Sequence, residues 1–137
     1  MKAIVLLGRI LFSLIFLISG PGHFSNQSIQ FAMAQGVPLP SLLVPFSGIL
    51  ALIGGISILL GYKAKLGAWI IVVFLVPVTL MMHNFWAASD LQVKQMQLGM
   101  FMKNLSLLGG ALLITYFGPG PLSMDHQMGV PELDQPG

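Results

Sequence analysis

SLLVPFSGILALIGGISILL, Ser41–Leu60, contains no charged side chain. A helix of this length rises about 30 Å, the thickness of a bilayer's hydrocarbon core. Read as a membrane span, it decides the fold, because three further apolar stretches match it, at roughly residues 3–20, 66–86 and 98–117. Isolated strands would leave backbone groups unpaired in lipid, and a closed barrel needs short alternating segments, which these are not. The sequence therefore predicts an all-α membrane protein, a bundle of four transmembrane helices.

Composition agrees with that reading. Mean hydropathy is +0.88, and 55% of the 137 residues are hydrophobic against 7% charged. A soluble domain keeps about a quarter of its residues charged, because its surface must be solvated. The six Lys and Arg residues are scattered, with no basic run to track phosphates, so nucleic acid is excluded as a partner. With no cysteine, there is no disulfide, iron–sulfur cluster or thiol intermediate. Arg9 would interrupt the apolar region of a signal peptide, and the first span is expected to be retained. One domain is expected over residues 1–125, with a flexible cytoplasmic tail over 126–137.

The segment between the first two spans, PGHFSNQSIQFAMAQGVPLP, is polar enough to leave the bilayer core. Ser25 is placed to cap a short outer-surface helix that Gly36 ends. Gly20-Pro21-Gly22 should stop the first helix, and Pro77 should kink the third span. Lys2, Arg9, Lys63 and Lys65 share one side, whereas Lys94 and Lys103 lie towards the other, which predicts that both termini are cytoplasmic in a bacterial inner membrane.

Helices in lipid associate where small residues let backbones approach and where polar groups find partners. Inner faces are thus predicted at Arg9, Ser13, Phe16 and Gly20 of the first span, and at Ser47, Ala51, Gly54 and Gly55 of the second. Thr79, His83 and Trp86 align on the third, and Gly99, Lys103, Ser106 and Gly110 on the fourth, whose helix is expected to begin near Met96. Connectivity then gathers His23, His83, Asn84, Trp86, Lys103 and Asn104 at the outer end of the first, third and fourth spans as a candidate ligand site. Plainer roles compete for each of them. Lys103 can snorkel to the headgroups, His83 and Asn84 can simply end a span, and His23 can be a loop histidine. Arg9 reads as an anchor at the cytoplasmic interface and stays outside the site. A two-histidine haem or metal site lacks an i, i+4 ligand pair, and no metal is assigned.

GRILFSLIFLISG, GGISILLGYKAKLGA, HNFW, FMKNLSLLGGALL and GPGPLSMD, taken in that order from Gly8 to Asp125, resemble the DoxX family of small four-helix membrane proteins. The resemblance implies a membrane subunit of a quinone-linked oxidoreductase system with a redox partner protein. His23 stands where relatives often have a lysine, and Ala51 where they often have a glutamate. A quinone head group or small oxyanion suits the proposed pocket: Lys103 supplies charge, His83 a donor or acceptor, and Trp86 a flat wall. Two other readings stand beside it. One is a non-catalytic scaffold or assembly factor whose small-residue faces bind partner helices or a second copy, and the other is a small-solute transporter.

Overall fold

The computed structural model describes residues 1–131, and the remainder of the expected tail lies outside the described residues. Among the described residues, four helices are long and apolar enough to cross a membrane. They are α1 (Lys2–Ser19), α3 (Pro40–Leu60), α4 (Ala64–Met82) and α5 (Leu91–Phe117), with the short α2 (Asn26–Ala34) between the first two spans. Among the described residues there is no strand.

Local chemistry sets most of the boundaries. α1 gives way to a 3₁₀ turn, Gly20–Phe24, where Pro21 interrupts the chain. Ser25 caps α2 by accepting a hydrogen bond from the Ser28 amide at 3.2 Å. α4 continues helically across Pro77, which has no N–H to give the Val73 carbonyl one turn earlier. A second 3₁₀ turn, Phe85–Ala87, leads to Asp90, whose carboxylate caps α5 through the Val93 amide at 2.9 Å. That cap corrects the expected start near Met96: α5 begins at Leu91, because Asp90 satisfies the first turn of a polar helical segment the hydropathy pattern does not mark. After α5 the chain makes one more helical turn, α6 (Met124–Gln127), which contains Asp125 and is capped by Ser123.

α3 packs on both α1 and α4, while α5 packs on α4. Glycines set these approaches. A Cβ on Gly54 would come within 2.7 Å of Ile71 and 3.0 Å of the Gly67 carbonyl, so α3 and α4 meet nearly backbone to backbone. Gly48 and Gly55 let α3 approach α1 and the turn after it: a Cβ on Gly48 would meet the Gly20 carbonyl at 2.9 Å, and one on Gly55 would meet the Phe16 Cβ at 3.1 Å. The buried core runs through Phe16, Ala51, Ile58, Ala68, Ile71, Phe74, Leu75 and Ala111.

The predicted inner faces of α1 and α3 are the observed ones: Arg9, Ser13, Phe16, Gly20, Ala51, Gly54 and Gly55 are buried, and Ser47 is half-buried. On α5 the packed line is different. Gln97, Asn104 and Ala111, seven residues apart, are buried, whereas Gly99, Lys103 and Ser106 are exposed. The expectation that Lys103 faces its neighbours is therefore corrected. A lysine has a long apolar stem that can lie along a helix surface, but the short amides of Gln97 and Asn104 must find partners inside.

Candidate functional site

Arg9, expected to be an anchor outside the site, is 4% exposed. Its guanidinium donates from Nη2 to the Leu122 carbonyl at 2.6 Å and from Nη1 to the Pro119 carbonyl at 3.4 Å. Both carbonyls belong to the segment that follows α5. The same segment carries Asp125, 3% exposed, whose two carboxylate oxygens accept from the Lys63 and Ala64 amides at 2.8 and 2.9 Å. Those amides open α4, so Asp125 caps that helix from sixty residues downstream in sequence, where a helix N-terminus favours an anion. The Asp125 amide in turn donates to the Gly61 carbonyl at 2.8 Å. This end of the bundle is bolted shut.

The opposite end is open. A cavity of about 620 Å³ lies among the 3₁₀ turn after α1, α2, the first half of α3 and the second half of α4. Its walls are mostly apolar, including Phe31, Leu50, Phe74, Val78 and Met81, with His23, Gln27, Ser28, Ser47 and His83 as polar points. Phe46 and Val73 line it and are 52% and 60% exposed on the bundle's side. Val73 lies nine residues before the end of α4, about 14 Å along the helix. A wall residue exposed at that depth lies on the side of the bundle, so the cavity opens sideways between the helices and not only at their ends.

His23 and His83 are held by different partners. The His23 Nδ1 lies 2.8 Å from the Ser47 Oγ, and the ring tilts against Phe74 with centroids 5.7 Å apart. The His83 Nδ1 lies 2.9 Å from the Gln97 Oε1, which ties the end of α4 to α5. Of the six residues predicted to form a site, the structure brings these two to one cavity. Asn84 sits in the loop after α4, and its carbonyl accepts from the Ala87 amide at 3.0 Å. Trp86 packs edge-on against Phe85 and Phe101 and is exposed. Asn104 is buried within α5, and Lys103 is exposed with its Nζ 3.5 Å from the Met100 sulfur. None of these four lines the cavity.

Sequence reasoning placed Ser47 on a packing face and overlooked Gln97. The usable signal for Gln97 was an amide seven residues before Asn104 on the same helix face. For the cavity itself no local signal existed, since α2 has to fold back beside α3 to form one wall. Among the described residues, no three His, Asp or Glu side chains cluster as a metal site would need.

Fold and burial define an integral membrane protein built on four spanning helices. The SURF4 family model matches residues 40–129, and the chain belongs to the SURF4 family. It is 30% identical over 122 residues to the inner membrane protein YqjF of Escherichia coli, covering 89% of each chain. To the inner membrane protein YphA of the same organism it is 27% identical, over 90% of this chain and 89% of YphA. The ER-derived vesicles protein ERV29 of Saccharomyces cerevisiae is 32% identical over 82 residues, 60% of this chain but 26% of ERV29. No solved structure matches the chain. The resemblance to DoxX is thereby overturned, and the oxidoreductase association, which only that resemblance implied, goes with it. Short glycine-rich apolar strings recur in small membrane proteins because close helix packing selects them, so they misassign families readily.

Proposed function

We propose that this protein is a non-catalytic inner-membrane protein that binds an apolar small molecule taken from the bilayer, held between α2, α3 and α4. The observation that carries this reading is the cavity of about 620 Å³, within the range of small-molecule sites and open on the side of the bundle. A scaffold needs only packed faces, and a void of this size between two glycine-packed helices costs contacts that packing alone would select against. Reaction chemistry finds little support in the lining: His23, Ser47 and His83 have no acidic residue or cation beside them. The inner-membrane location draws on the relatives YqjF and YphA, which are named for it.

Purification from the inner-membrane fraction in polymer-bounded native discs, followed by mass spectrometry of the released small molecules, tests the reading. The expected result is an apolar compound near one per chain that is lost in Val78→Trp, a substitution that fills the cavity from the α4 wall. Retention of the same compounds at the same ratio in that variant would overturn it, as would absence of the chain from that membrane fraction.

A further inference from the structure

Proton placement at the polar end of the cavity specifies what the ligand must offer. The Ser47 Oγ lies 2.6 Å from the Val44 carbonyl oxygen. Two oxygens this close need a proton between them, and a serine hydroxyl has one, so it is committed to Val44. Towards His23 the hydroxyl can then only accept, which puts the proton on Nδ1 and leaves Nε2 of the neutral ring a bare acceptor. His83 repeats the arrangement: its Nδ1 faces the Gln97 carbonyl-type oxygen, so Nδ1 donates and Nε2 again carries a lone pair. The Ser28 hydroxyl, also in the lining, donates its proton to the Gly22 carbonyl at 2.8 Å. Backbone adds to the same polarity, because Pro77 denies the Val73 carbonyl its helical donor and both residues line the cavity. Gln27, exposed at the rim, supplies either polarity.

From this arrangement we infer that the cavity selects an amphiphile whose polar end is a hydrogen-bond donor, a phenol or a long-chain alcohol, with His23 as its acceptor. The inference rests on the cavity being a ligand site. It disfavours acceptor-only head groups such as a quinone, and also carboxylates and oxyanions, since no lysine or arginine lines the walls.

A matched pair of probes tests the polarity: 4-nonylphenol and its methyl ether, 4-nonylanisole, which share an apolar body and differ in one donor. Binding is read by native mass spectrometry of the full chain in phosphatidylcholine nanodiscs at pH 8, above the ordinary histidine pKa of ~6.5. The phenol is expected to bind roughly fivefold tighter, the worth of about one net hydrogen bond. His23→Phe should bring the phenol to the anisole's affinity while leaving the anisole unchanged. Ser47→Ala, which frees the imidazole to change tautomer, should shrink the preference without removing the ring, and it carries the test if His23→Phe does not fold. Equal affinities in the parent protein, or an undiminished preference in the substituted chains, would sink the donor rule and leave the cavity standing. Failure of both probes to bind, or their undiminished binding to Val78→Trp, would instead remove the cavity as a site.

Discussion

Arg9 and Asp125 at one end of the bundle, and His23 and His83 at the other, are all polar groups in a chain that is mostly hydrocarbon, yet they are used in opposite ways. The Arg9 guanidinium and both Asp125 oxygens contact backbone groups of other segments, so that α1, the α3–α4 turn and the segment after α5 become one unit. Each histidine instead gives one ring nitrogen to a neighbour and lines a cavity. A polar group in a membrane bundle is expensive either way. The contrast teaches that its meaning is read from where its hydrogen bonds go: bonds to the backbone of distant segments make a joint, and a ring that bonds one neighbour while lining a void marks a site.

The sharpest way to break the comparison is at the joint. Asp125→Ala leaves the Lys63 and Ala64 amides without acceptors at a buried helix start and removes charge-assisted bonds, so a loss of about 3 kcal/mol is expected. Thermal unfolding in detergent, followed by helical circular dichroism, checks it. Asp125→Asn should recover little, because its amide nitrogen would point a donor at a donor. If the alanine variant unfolds with the parent, the joint is decoration and the two ends do not differ in kind.

How much of this was visible in the sequence depends on the length over which each feature is written. The spans were legible because hydropathy over about twenty residues is a local signal, and the inner face of α1 because Arg9, Ser13, Phe16 and Gly20 repeat at helical spacing. α5 misled because it bears two polar stripes. The rule that small and polar residues face inward selects the Gly99–Lys103–Ser106 stripe as readily as Gln97–Asn104–Ala111, and only side-chain reach separates them. Asp125 and its amide partners stand sixty residues apart, Arg9 more than a hundred from Pro119, and no periodicity connects them. The cavity is harder still, since a void is a property of how α2, α3 and α4 sit together and has no residues of its own.

A second test of the joint is smaller and purely steric. Gly61 has φ +66°, and a Cβ there would run into Ser123 and the Arg9 guanidinium. Gly61→Ala thus combines left-handed backbone strain with displacement of the segment after α5, for an expected cost of about 2 kcal/mol. The same melts read the stability. Proteinase K adds a readout specific to this end: cleavage near residues 118–125 should quicken, while the cavity end is cut as in the parent. Uniform acceleration along the chain would mean that the two ends are not separable units.

The smallest expected effect belongs to Lys103. It belongs to neither end's polar set: its Nζ meets only the Met100 sulfur at 3.5 Å among the contacts the structure defines for it, and it is exposed on the face of α5 away from α4. From there its stem can carry the amine about one helical turn towards the headgroups. Lys103→Met should therefore change unfolding by no more than about 0.5 kcal/mol and leave probe binding in the cavity as it was. Because substitution also removes a charge from the apolar layer, any shift should be towards stability. A loss of stability comparable to that of Asp125→Ala would show that the amine is held inside an assembly the isolated bundle does not contain, and α5's outer face would then be an interface and not a lipid surface.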